Sequence, residues 1–190
     1  FADTRSDVPP APGAVLLEVP LVVVTRLVGL DMADQAHESL AEHQVNAVCM
    51  IAILGALSYG FSALLGKRRA LPAAFIVLLG STYTGSIASS MANSQMPEIV
   101  FLTWTQAWLL RFDVQGGRLR GWLLGAFLGM AYLCRPTALL WAPPLFLYLA
   151  FKSRGALPGA IVGLAAFYLG LKFALGPVWG GPHPYYGPRP

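Results

Sequence analysis

The chain has 190 residues, 56% of them hydrophobic and 12% charged, where an ordinary soluble domain carries about a quarter charged residues. Apolar runs recur along the whole length, which excludes a water-soluble globular enzyme and a soluble head on a single anchor. The net charge of +4 sits mainly in short basic clusters between those runs, so no nucleic-acid partner is expected.

Residues 1–43 read as an outer-face segment. VPPAPG (8–13) is a turn. AVLLEVPLVVVTRLVGL (14–30) is apolar but holds Glu18, Pro20 and Arg26, which suits a helix lying in a membrane surface better than one crossing it. Asp31 is placed to N-cap a second short helix, MADQAHESLAEHQ, with Ala36, Leu40 and Ala47 as its apolar stripe. His37, Glu38, Glu42 and His43 fall on different faces of that helix and lack the HExxH spacing. They read as a solvated acidic face, and no metal or other cofactor is expected.

Residues 44–175 read as an all-α, polytopic membrane bundle of about six membrane helical segments. QVNAVCMIAILGALSYGFSALL (44–65) carries no charge and is long enough to cross about 30 Å of hydrocarbon. After Gly66-Lys67-Arg68-Arg69, a second span covers 71–92 and ends in the small, polar run STYTGSIASSMA, which permits close helix approach. Pro97 suits the first turn of a third helix that runs to Arg111. The polar connector RFDVQGGRLR leads to an apolar stretch, 121–151, whose only charge is Arg135. A last span, 157–175, contains Lys172. Cys49 and Cys134 lie in apolar segments, where buried free thiols are expected.

The loops at 66–70, 111–120 and 152–155 hold Lys67, Arg68, Arg69, Arg111, Arg118, Arg120, Lys152 and Arg154 against a single acid, Asp113. Residues 1–43 hold Asp3, Asp7, Glu18, Asp31, Asp34, Glu38 and Glu42 against Arg5 and Arg26. The positive-inside rule places the basic loops in the cytoplasm, with the N-terminal segment and the Pro/Gly-rich loop 176–190 outside the inner membrane. Residues 121–154 must then enter and leave on one side.

Arg135-Pro136 supplies the means. Proline disfavours helix at the residue before it, so a break is expected there. Each arm of 14–15 residues reaches roughly 21–23 Å, which makes a helical hairpin with a recessed tip. An arginine at membrane depth costs about 2.5–3.5 kcal/mol and calls for a partner or a wet cavity, unless it reaches lipid headgroups. Glu98, preceded by Asn93-Ser94-Gln95, is either a first-turn acid serving the helix dipole or an acid facing a polar cavity. Trp179, Tyr185 and Tyr186 suit a membrane interface.

The order of four stretches resembles the GT-C fold of membrane glycosyltransferases that use polyprenyl-phosphate sugars. The nearest branch is that of protein O-mannosyltransferases and lipid A aminoarabinose transferases. The stretches are VPPAPGAVLLEVPLVVVTRLVGL, SSMANSQMPEIVFLTWTQAWLL, LLGAFLGMAYLCRPTALLWAPPLFLYL and KFALGPVWGGPHPYYG. The resemblance implies an inverting sugar transfer from a polyprenyl-phosphate donor to an outer-face acceptor, with membrane lipid as the other partner. It implies substrate-binding roles for Arg135, on the donor phosphate, and for Glu98 and Tyr186. The family's catalytic acid lies upstream of the PP stretch. This chain starts at Phe1, so the first helix and that acid are expected to precede it, and the catalytic residue is unassigned, with Glu98 as the candidate that this chain offers. The alternative is a non-catalytic membrane subunit packed among other subunits of a photosynthetic, respiratory or transport complex.

Overall fold

The computed structural model describes residues 19–20, 23–24, 26–29, 35–81, 95–115 and 118–179, and those from 35 onward form an all-helical bundle. Its helices are α1 (Gln35–Leu65), α2 (Lys67–Gly80), α3 (Gln95–Gln115), α4 (Arg118–Cys134), α5 (Ala142–Lys152) and α6 (Leu157–Trp179). A 3-10 segment, Pro136–Trp141, joins α4 to α5.

α1 begins at Gln35 and continues without interruption through the uncharged run to Leu65. The second surface helix expected over residues 32–44 is therefore, from Gln35 on, the first part of this longer helix. The local reason is that QAHESLAEHQVNA holds neither Gly nor Pro and is rich in strong helix formers. Asp31, its expected cap, lies outside the described residues.

Gly66 alone reverses the chain between α1 and α2. Its φ of 78° and ψ of 160° lie in a region that is essentially open only to glycine. Lys67, Arg68 and Arg69 accordingly form the first turn of α2 and not a loop, because a one-residue reversal leaves nothing over for one. The second helix thus starts earlier than the sequence suggests and runs to Gly80, where the Ser81 hydroxyl and N–H both donate to the Leu78 carbonyl. Residues 82–94 of the expected span lie outside the described residues. The connector at 111–120 is likewise mostly helix: Arg111 and Asp113 end α3, and Arg118 and Arg120 begin α4.

We call the end of the bundle at Gly66 the lower end. α1 and α3 descend side by side, and α2 rises between them in sequence. Near the top, Val45, Cys49 and Ile53 of α1, Leu78 of α2, and Met96 and Val100 of α3 form one buried cluster. α4 rises, α5 descends and α6 rises again. Leu124 and Leu128 of α4 pack with Phe112 of α3, Leu145 and Leu149 of α5, Ala156 in the turn before α6 and Ala160 in its first turn. Cys49 and Cys134 are buried and unbridged.

α4 and α6 run parallel and approach closely. Gly121, Gly125 and Gly129 recur at four-residue spacing along one stripe of α4. A methyl group at Gly125 would overlap the Ala160 carbonyl, one at Gly121 would overlap the Ala156 carbonyl, and one at Gly163 of α6 would overlap the Trp122 carbonyl. This is small-residue helix packing of the kind common within membranes.

The outer surface is apolar. Ile76 is 73% exposed, Leu140 77% and Phe151 85%. Among the described residues one helix, His43–Leu65, is long and apolar enough to cross a membrane, and Arg120–Cys134 and Leu157–Gly170 are shorter apolar helices.

Candidate functional site

The α4–α5 hairpin is built by its prolines. Arg135 is extended, with φ −151° and ψ 135°, as expected of a residue preceding proline. Its N–H makes the last α4 bond, to the Ala131 carbonyl at 3.0 Å. Its own carbonyl accepts from the Ala138 N–H at 3.1 Å and so opens the 3-10 segment. Pro136 starts that segment and Pro143-Pro144 start α5, in first-turn positions where a missing N–H costs no helical bond.

The hairpin tip rests on the top of α3. Phe101 of α3 is buried with Ala131 and Cys134 of α4 and Ala138 of the 3-10 segment. Beside this contact, the Thr137 hydroxyl donates to Glu98 Oε1 at 3.0 Å. Arg135 Nε lies 3.8 Å from Glu98 Oε2. That spacing is an ion pair without a hydrogen bond. The Glu98 side chain is 12% exposed and that of Arg135 is 37% exposed, so the acid is enclosed and the cation looks outward. Among the described residues the Arg135 guanidinium makes no hydrogen bond, and its planar fork of donors is open to a further acceptor.

Arg111 shows the opposite arrangement. Its Nε donates to the Tyr59 carbonyl at 3.1 Å, its Nη2 donates to the Ser62 hydroxyl at 2.6 Å, and its guanidinium stacks 3.8 Å above the Tyr59 ring. These contacts tie α3 to α1, and the Arg111 carbonyl accepts from Arg120 Nη1 of α4 at 3.0 Å. Arg111 is spent on the fold; Arg135 is not.

The hairpin is also pinned at its lower end. Lys152 Nζ lies 2.8 Å from Asp113 Oδ1, and the Tyr148 hydroxyl donates to the same oxygen at 2.8 Å. The hydrogen bond from Lys152, that from Tyr148 and the Lys152 charge hold the Asp113 carboxyl below the usual carboxylate range. Asp113 in turn raises the Lys152 ammonium above its usual range.

Two apolar grooves flank the hairpin. One, of about 170 Å³, runs between α3 and α5 and is lined by Leu102, Thr105, Gln106, Trp141, Leu145 and Tyr148 among others. The other, of about 350 Å³, lies between α4, the 3-10 segment and α6, lined by Tyr132, Leu139, Ile161, Leu164, Ala165 and Tyr168. Among the described residues no group of three His, Cys, Asp or Glu side chains converges in a way that could hold a metal ion.

Of the residues singled out from sequence, Glu98 and Arg135 come together at one place, and Tyr186 lies outside the described residues. Sequence reasoning passed over Thr137. The available signal was a hydroxyl directly after Arg135-Pro136 in an otherwise apolar run. An outward guanidinium with donors to spare is suited to holding an anion.

Comparison with known proteins adds one match. The family model described as dolichyl-phosphate-mannose-protein mannosyltransferase aligns with residues 37–177, from the first turn of α1 nearly to the end of α6. No curated protein and no solved structure matches.

Proposed function

The chain belongs to the dolichyl-phosphate-mannose-protein mannosyltransferase family, a family of membrane glycosyltransferases, and from that premise we propose that it forms the donor-binding part of an enzyme that moves a sugar from a polyprenyl-phosphate carrier to an acceptor on the outer face of the inner membrane. Residues 44–175 form the membrane bundle in this reading, entered from α1. Residues 1–43 and 176–190 face outward, and the basic helix ends near Lys67, Arg118 and Lys152 face the cytoplasm. The apolar exterior supports this placement, because Ile76, Leu140 and Phe151 would each expose a large hydrocarbon surface to water otherwise.

The observation that carries the reading is the open guanidinium of Arg135 at the break of a hairpin. Arg135 holds the carrier phosphate, and neutralises the charge that grows on it as the sugar departs. In the transfer, an acceptor oxygen bonds to the anomeric carbon of the sugar. The bond from that carbon to the phosphate oxygen breaks, its electron pair leaves with the polyprenyl phosphate, and the acceptor proton passes to a base. One attack of this kind inverts the anomeric centre, in keeping with the GT-C resemblance of the sequence. Glu98 fits an orienting role better than that of the base, since Thr137 occupies one of its oxygens and Arg135 faces the other. The family match does not favour the alternative of a non-catalytic subunit.

Binding of farnesyl phosphate, a short polyprenyl phosphate, to the detergent-solubilised chain tests the proposal by calorimetry. Arg135→Ala is expected to abolish binding while the thermal unfolding profile persists. Binding by that variant at wild-type strength would remove Arg135 from the donor site.

A further inference from the structure

We propose that Thr137 is a positioning residue, which keeps the Arg135 guanidinium available to a phosphate by holding one oxygen of the Glu98 carboxylate. The inference rests on the reading of Arg135 as the phosphate-binding residue and assigns a task to a side chain that this reading leaves unexplained.

An arginine beside a buried carboxylate ordinarily closes into a two-bond fork with N···O distances of about 2.7–2.9 Å. That closure has not happened here, as Arg135 Nε stops 3.8 Å from Oε2. The fork needs both carboxylate oxygens turned to the guanidinium, and the Thr137 hydroxyl, bonded to Oε1 at 3.0 Å, fixes the rotation of the carboxylate. The competition is local. Thr137 follows Arg135 by two positions, in a turn held by the bond from the Ala138 N–H to the Arg135 carbonyl. Hydroxyl and guanidinium therefore leave one rigid turn and meet one carboxylate.

The use of this hydroxyl is distinctive among the threonines nearby. Thr103 donates to the Ile99 carbonyl at 2.7 Å and Thr105 to the Phe101 carbonyl at 2.9 Å, each within its own helix. Thr137 instead reaches across 39 positions of chain to Glu98. Without that bond Glu98 is free to turn both oxygens toward Arg135. The guanidinium is then neutralised and two of its five N–H donors are taken, which weakens its hold on a phosphate.

The test uses the full chain in detergent and reads Arg135 directly. Phenylglyoxal modifies accessible guanidinium groups, and its rate at Arg135 is measured on the peptide by mass spectrometry. Thr137→Val, which keeps the shape and loses the hydroxyl, is expected to slow labelling about tenfold, the scale of a charge-assisted hydrogen bond. Thr137→Ser is expected to label as wild type. The double variant Thr137→Val, Glu98→Gln is expected to regain the wild-type rate, because an amide cannot form the ionic fork. Wild-type labelling of Thr137→Val overturns the proposal. So does slow labelling that persists in the double variant, since the loss then acts through repacking and not through Glu98. Where Val is not tolerated at 137, Glu98→Gln alone serves: labelling at or above the wild-type rate is expected, and slower labelling overturns the proposal. Farnesyl phosphate is then added to the wild type as the probe for the site. Protection of Arg135 is expected. The predicted variant pattern without protection would leave the Thr137 role standing and sink the phosphate reading.

Discussion

Lys152 Nζ and Asp113 Oδ1 lie 2.8 Å apart at the foot of the α4–α5 hairpin, so the same hairpin that meets Glu98 at its tip is fastened to α3 at its base. The lower contact is exposed, and its worth is correspondingly modest. Its pH dependence is defined by sign. The Asp113 carboxyl is held below its ordinary range when folded, so its contribution is fully present above the unfolded carboxyl pKa of about 3.9 and is lost as pH falls through the lower folded value. The Lys152 ammonium is raised, so its contribution is present below the unfolded pKa of about 10.4 and is lost as pH rises through the higher folded value. Thermal unfolding of wild type and Asp113→Asn is expected to differ at neutral pH and to converge as the solution is acidified through and below the carboxylate range. Identical profiles at neutral pH would show that the contact does not hold the hairpin.

Two arginines are expected to part company under mutation. Arg111→Ala loses two hydrogen bonds and the Tyr59 stack, which amounts to about 2–4 kcal/mol of stability. Arg135→Ala loses one long ion pair and no hydrogen bond, and is expected to cost less than Arg111→Ala. Melting curves in one detergent give both numbers, and the reverse order would contradict the division between a fold arginine and a site arginine.

The seam between α4 and α6 predicts a steep cost for small additions. Gly125→Ala places a methyl group against the Ala160 backbone, which cannot rotate away, so a loss of about 1–3 kcal/mol is expected. Gly55→Ala is the control. Nothing lies within 4 Å of the added atom, and an alanine in mid-helix is worth about 0.5–1 kcal/mol more than glycine. Opposite signs of change in melting temperature are expected for the two variants.

Gly66→Ala is expected to cost about 1–3 kcal/mol, since the turn needs φ 78° with ψ 160° whatever the surrounding space. Insertion of two further glycines beside Gly66 should restore most of the loss by giving the reversal more residues. A melting temperature unchanged by Gly66→Ala would contradict the one-residue turn.

The proposed topology is checked by labelling single cysteines in a background lacking Cys49 and Cys134. Thr137→Cys, at an exposed position of the hairpin tip, is expected to react with a membrane-impermeant maleimide from outside. Arg154→Cys is expected to react only after the cytoplasmic side is opened. Reaction of Thr137→Cys from the cytoplasm alone would invert the hairpin.

Several features were legible without coordinates because their causes act over a few residues. The steric effect of Pro136 ends α4 at Cys134, and the charge-free run from Gln44 to Leu65 becomes the part of α1 long and apolar enough to cross a membrane. Other features depended on how helices meet. Nothing near Arg135 in sequence names Glu98 as its neighbour, and nothing near Asp113 names Lys152 and Tyr148. Those pairings follow from the register of α4 and α5 against α3, which burial of Phe101, Leu145 and Leu149 sets. The Gly121, Gly125 and Gly129 stripe is visible as spacing, yet only the packed structure decides that α6 is the helix it meets. The sequence by itself determined the membrane character, the helix break before Pro136 and the polar residues that must find partners. The tertiary structure alone decided which partners they found, because side-chain reach of a few ångströms is resolved only once whole helices are in register.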